Sequence, residues 1–215
     1  MVELSYPAKT AYKSQKAAQT YDQTRFRSLK GKLLDKREKK IIGQFLNGLP
    51  EDSLILDLPC GTGRISEFLL SQGYKVWGAD ISPEMLEVAR TKLNGFGDRV
   101  SFYLADAENL PFEDKRFDSA TYIKLFGHIP SETRIRILKE IKRVTKGPFI
   151  VAYYLSEPIA NIKRKIRKLI AGNKAPWFPI SKKDLKKEIE SAGLVIVKEK
   201  PLLRYVSETW IVLLK

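Results

Sequence analysis

Two carboxylates flanking a glycine turn are the residues of this chain whose type and spacing point to chemistry. Asp57-Leu-Pro-Cys60-Gly61-Thr62-Gly63-Arg64 follows the apolar run Leu54-Ile55-Leu56, and Asp80 closes Val76-Trp-Gly-Ala-Asp80. The apolar run predicts a buried strand, and Arg64 to Gln72 predicts a helix that stops at Gly73. Glycines at a strand-to-helix turn let backbone N–H groups come close to a ligand. An acid ending the next strand can accept both hydroxyls of a ribose. The pattern therefore points to a nucleoside-bearing cofactor.

Two cofactor classes fit such a turn. A dinucleotide fingerprint needs a third glycine for close helix–strand packing, and Ser66 stands there instead. Asp57, four residues before the turn, predicts a negative charge near the middle of the ligand. Against a pyrophosphate that charge is repulsive, by roughly 4 kcal/mol at about 4 Å with an effective dielectric near 20. Against the ammonium and sulfonium of S-adenosylmethionine it is attractive by a similar gross amount. The sign favours the methyl donor.

The chain here resembles the class I S-adenosylmethionine-dependent methyltransferases, from about Ser53 to Tyr154. Asp57-Leu-Pro-Cys-Gly-Thr-Gly63 matches the family's first motif and Gly78-Ala-Asp80-Ile-Ser-Pro-Glu-Met85 its second. Leu104-Ala-Asp106-Ala107-Glu-Asn-Leu-Pro-Phe resembles the third, and Phe117-Asp118-Ser-Ala-Thr-Tyr-Ile-Lys124 the fourth strand. The resemblance implies that Gly61, Thr62 and Gly63 meet the methionine half and Asp80 the ribose. It further implies Asp106 on the adenine amino group, the Ala107 N–H on a ring nitrogen, and Ile81 and Met85 against the ring. Lys124 joins the cofactor-binding set. Tyr21, in Tyr21-Asp22 before Arg25-Phe26, resembles the N-terminal segment of ubiquinone/menaquinone-type enzymes, where a tyrosine can approach the methionine carboxylate; a core-filling aromatic is the other reading. S-adenosylmethionine, leaving as S-adenosylhomocysteine, is the cofactor so implied.

Methyl transfer is an in-line displacement, so alignment supplies most of the rate and a base is needed only where the nucleophile must lose a proton. His128 is the only histidine and follows the fourth predicted strand. It is the candidate catalytic base or substrate contact, with a structural role at the following helix start as the alternative. Pro59-Cys60 is similar to the pair used by cytosine-5 methyltransferases. Those carry it after the fourth strand, so Cys60 reads as a small, semi-buried turn residue. No Asn/Asp-Pro-Pro-Tyr/Phe follows the fourth strand, which sets aside exocyclic amino methylation of DNA bases. No ligand-spaced cluster predicts a metal.

Strand patterns near 53–58, 75–80, 100–105, 117–123 and 148–154 alternate with helices near 64–72, 83–94 and 131–145. Ser82-Pro83 is a helix start, and Ser131 is expected to cap similarly. A helix near 181–191 leads to Leu194-Val-Ile-Val197 and then to Thr209–Leu214, an expected antiparallel pair. The expected fold is α/β: a Rossmann-like doubly wound, seven-stranded, mostly parallel sheet with an antiparallel C-terminal strand and an N-terminal helical lid. One methyltransferase domain is expected over 1–215, with a helical cap at 1–48 and a cofactor core at 49–154. A basic substrate cover follows at 155–180, then a helix and strand pair at 181–215.

Charge is divided unevenly. Residues 1–40 carry a net +7, 41–154 a net −1 and 155–205 a net +8. Ile159, Ile162, Ile166, Leu169 and Ile170 recur at helical spacing among lysines and arginines. Packing on the domain, docking on a membrane surface and contact with phosphates are the readings of that helix. Basic flanks suit an anionic substrate or surface, or form the lysine-rich surface of a heat-adapted protein. The expected acceptor is a small or lipid-like, anionic molecule. An RNA base, with nucleic acid held by the flanks, and a methyltransferase-like module that only binds are the rivals. No apolar run reaches the length of a membrane span. The start of the chain shows no secretion signal, and one cysteine fits a reducing cytoplasm, the expected location.

Overall fold

The computed structural model describes residues 28–156, 178–203 and 207–215. Tyr21, most of the basic helix expected over 155–175, and Trp177 lie outside them. Helix α1 spans Leu29–Leu46, β1 Leu54–Asp57, α2 Arg64–Ser71, β2 Lys75–Asp80, α3 Pro83–Leu93, β3 Val100–Leu104 and β4 Ser119–Tyr122. Next come α4 over Ser131–Val144, β5 Phe149–Tyr154, α5 Lys182–Ser191, β6 Ile196–Pro201 and β7 Thr209–Leu214.

The strands form one seven-stranded sheet in the order β3-β2-β1-β4-β5-β7-β6. The first five run parallel, while β7 is antiparallel to both β5 and β6. The expected architecture is present. Side chains of the central strands alternate between two apolar layers. Phe149, Val151 and Tyr153 of β5 face one layer with Ile137, Leu138 and Ile141 of α4 and Leu185 and Ile189 of α5. Ile150 and Ala152 face the other, with Ile41, Ile42 and Phe45 of α1 and Ile65 and Leu69 of α2. This double burial explains why the strands read as nearly continuous apolar runs. Each fully buried Leu or Ile contributes about 1.5–3 kcal/mol of transfer free energy.

Two local expectations change. β6 begins two residues later than the apolar run Leu194–Val197 suggests. Its register is set by pairing, Ile196 to Leu214 through Pro201 to Trp210. Being the sheet's edge, it takes the polar run Lys198-Glu199-Lys200, as edge strands do. Ser131 does not cap α4. Pro130 holds the cap position, its carbonyl accepting the Arg134 N–H at 3.0 Å, with no side-chain cap bond. Ser82 caps α3 as expected, accepting the Met85 N–H at 3.2 Å with Pro83 in the first turn.

Candidate functional site

Sheet order reverses between β1 and β4, which leave their carboxyl ends on either side of a crevice, the usual ligand position in open α/β sheets. The glycine turn is built there. Gly61 and Gly63 sit at φ +53° and +76°, conformations that side chains rarely adopt. The two differ in surroundings. A Cβ on Gly63 would lie 2.8 Å from Leu93 Cδ1 and 3.3 Å from Ala89 Cβ, so this glycine seats the turn against α3. A Cβ on Gly61 would meet nothing within 4 Å, which leaves its side open for a ligand. The close-packing role of the missing third glycine thus falls to Gly63.

The acids expected to share the site are brought together by backbone bonds. Asp80 Oδ2 accepts the Gly61 N–H at 2.9 Å, and Oδ1 accepts the Ser82 N–H at 2.9 Å. Asp80 is 6% exposed; burial pushes its carboxyl up, opposed by these N–H donors. The Ala105 N–H donates to the Asp80 carbonyl at 3.0 Å, which brings Asp106 to the same edge. Asp106 Oδ1 accepts the Glu108 N–H at 3.0 Å, and both Asp106 and Ala107 are half-buried. Ile81 is 39% exposed at the mouth, whereas Met85 is buried. Of the two apolar residues implied for an adenine, Ile81 alone presents surface. Thr62 is buried within the turn.

Asp57 differs from its expectation. It lies behind the turn, 1% exposed, accepting the Ser66 hydroxyl at 2.6 Å and the Thr121 hydroxyl at 2.8 Å. Burial pushes its carboxyl up to about 6, against those hydroxyls and Arg64. The charge therefore does not touch the ligand face, and the electrostatic choice between cofactors acts at longer range than its position in the chain suggests. Ser66, where a dinucleotide site would have glycine, is there to hold Asp57. Cys60 is buried, and burial, then the charges of Asp80 and Asp57, push its thiol well above the usual range. An attacking thiolate is disfavoured there.

His128 ends a short turn, Phe126–His128, beyond β4 and is half-buried. Arg134 of α4 holds that turn. Its Nη1 donates to the carbonyls of Ile129 at 2.7 Å and Phe126 at 3.4 Å. Its Nε and Nη2 pair with Glu188 of α5 at 3.0 and 2.5 Å. The Phe178 N–H donates to the Gly127 carbonyl at 2.7 Å. The turn bearing His128 is thus tied to α4, α5 and the start of the C-terminal region.

Sequence reasoning missed one group. Lys124, at φ +75°, places Nζ 3.0 Å from Glu38 of α1, and Arg64 Nη2 reaches the other Glu38 oxygen at 2.7 Å. Arg64 also pairs with Asp35, which takes Lys39 at 3.0 Å. A signal existed: Asp35 and Glu38 are the two acids between residues 23 and 50, one helical turn apart among basic neighbours.

Known proteins resemble this chain in sequence and in fold. A family described as "Methyltransferase domain" matches residues 55–147, β1 to the end of α4. The demethylmenaquinone methyltransferase of Clavibacter sepedonicus is 40% identical over 112 residues, 51% of this chain and 44% of that protein. The one from Thermotoga maritima is 32% identical over 148 residues, 67% of this chain and 60% of that protein. The chain spans about half the length of these curated relatives. The magnesium protoporphyrin IX methyltransferase of Synechocystis PCC 6803, solved with bound SAH, superposes with a TM-score of 0.72 at 18% identity, covering 96% of this chain and 98% of that one. That likeness is one of fold. Strand order, the glycine turn with its strand-end acids, and the matched segment agree: residues 55–147 form a methyltransferase domain similar to those of the class I S-adenosylmethionine-dependent enzymes.

Proposed function

We propose that this protein binds S-adenosylmethionine at the carboxyl ends of β1, β2 and β3 and methylates a small or lipid-like, anionic acceptor. The observation that carries the reading is the 2.9 Å bond from the Gly61 N–H to Asp80, which makes one site of the turn and the ribose-type acid. The residues present fit the cofactor. The open side of Gly61 admits the methionine half, and Asp80, which accepts backbone N–H groups of Gly61, Ile81 and Ser82, is the candidate acceptor for ribose hydroxyls. Asp106, the Ala107 N–H and exposed Ile81 suit an adenine; Tyr21 is a candidate for the methionine carboxylate. When bound, S-adenosylmethionine supplies an electrophilic methyl group on a sulfonium. The chain supplies alignment, which is where such reactions gain most. His128, on a turn held by Arg134, is the candidate to take the acceptor's proton where the acceptor carries one. Relatives named as demethylmenaquinone methyltransferases support a small, lipid-like acceptor, and the basic flanks support an anionic one.

The test is calorimetry with S-adenosylhomocysteine beside an assay of labelled methyl transfer to metabolite extract. Asp80→Ala should weaken binding by about 1–3 kcal/mol through lost charged hydrogen bonds. Unchanged affinity would remove Asp80 from the site. His128→Ala should slow turnover at nearly constant affinity, and equal turnover would end its role in the chemistry. No incorporation into any fraction would favour a module that only binds.

A further inference from the structure

Glu38 stands apart from the strand-end acids, on the helix before β1, yet it is fully buried. Its two oxygens divide between cations from different elements. Oε2 is 2.7 Å from Arg64 Nη2, in the residue that follows Gly63. Oε1 is 3.0 Å from Lys124 Nζ, two residues past the end of β4. β1 and β4 are neighbours in the sheet, and the space between their carboxyl ends is the crevice described above. One carboxylate thus reaches both lips of the crevice from the helix layer.

The energetics make this more than a surface ion pair. A carboxylate taken out of water costs several kcal/mol unless it is well paired, and Glu38 is 0% exposed while Arg64 and Lys124 keep 12% and 24% of their side-chain exposure. Lys124 also holds a left-handed backbone, which costs a residue with a Cβ roughly 1–2 kcal/mol. Such strain persists where surrounding contacts over-determine it, and it gathers at ligand clamps. Around the lips, Arg64, Lys124 and Lys39 face Asp35 and Glu38, a surplus of one positive charge.

We infer that Glu38 is a positioning residue: it sets the opening between the glycine turn and the end of β4, and so the grip on the amino-acid tail of the cofactor. The inference rests on the reading that the methionine half lies at Gly61–Gly63. It predicts a loss confined to ligands that carry the tail.

The experiment compares S-adenosylhomocysteine with 5′-methylthioadenosine, the same nucleoside without the amino-acid end, by calorimetry on the full chain. Glu38→Gln should weaken S-adenosylhomocysteine by about tenfold or more and leave methylthioadenosine within about twofold. Lys124→Met should do the same, and the double variant should be no worse than the weaker single one, as coupled groups behave. Should Glu38→Gln fail to fold, Lys124→Met, which leaves Glu38 its Arg64 partner, carries the test alone. Unchanged S-adenosylhomocysteine affinity, or equal loss for both ligands, overturns the positioning role while the cofactor reading stands. Wild-type protein that binds neither nucleoside overturns both.

Discussion

Asp57 shows how far a residue's role depends on what surrounds it. By type and position it is a ligand-facing acid; in the fold it sits behind the turn between two hydroxyls. Its folded pKa of about 6 lies above the ordinary carboxylate value because burial penalises the charge. A raised pKa means that the folded state holds the proton more tightly than the unfolded chain. The stabilisation is complete below pH ~4 and is lost as pH rises through about 6, a total of about 3 kcal/mol. Asp57→Asn, which cannot ionise, should therefore gain stability relative to wild type as pH rises from about 4.5 to 7.5. Urea unfolding of the two proteins across that range is the measurement, and a constant difference would contradict the burial argument.

At the scale of elements, the turn and the helices divide the work. Gly63 and Gly61 both need left-handed backbone, but only Gly63 is pressed against α3. Gly61→Ala should cost stability roughly 1–2 kcal/mol from backbone strain. Gly63→Ala should cost a further 1–3 kcal/mol or so from overpacking against Leu93 and Ala89. Denaturant midpoints that rank the pair in reverse would refute the assignment of the close approach to Gly63. The tie between α4 and α5 makes a second claim. Arg134 and Glu188 are both nearly buried, at 5% side-chain exposure each. Glu188→Ala leaves the guanidinium without its counter-charge and should destabilise by about 3–5 kcal/mol. A loss below about 1 kcal/mol, the scale of exposed pairs, would mean that water reaches the pair.

For the whole molecule, charge and core are separate matters. The segment holding β1 to β5 is near neutral, and the positive excess lies before and after it. No helix among the described residues is long and apolar enough to cross a membrane. The excess should therefore govern association with polyanions rather than folding. Retention on immobilised tRNA should be present at low salt and fall by about 10³-fold or more between roughly 50 and 200 mM if six or more phosphates are met. With a small acceptor the tRNA stays unlabelled in the methyl-transfer assay. Labelled tRNA would move the acceptor to RNA.

The alternation of strands and helices and the glycine turn were legible in the chain, because each is a local pattern. Apolar runs of strand length, Ser82-Pro83 at a helix start and two glycines in a tight turn need only near neighbours to be read. The resemblance carried by the motifs supplied the seven strands and the antiparallel last one. What tertiary structure alone decided is which way side chains turn and which distant groups meet. It placed Asp57 behind the turn and buried Met85 of α3, and it began β6 at Ile196. It also brought Glu38 of α1 onto Arg64 and Lys124. Periodicity determines the face of an element that is buried. The partner of a buried charge is determined by packing between elements far apart in the chain, and no local spacing encodes it.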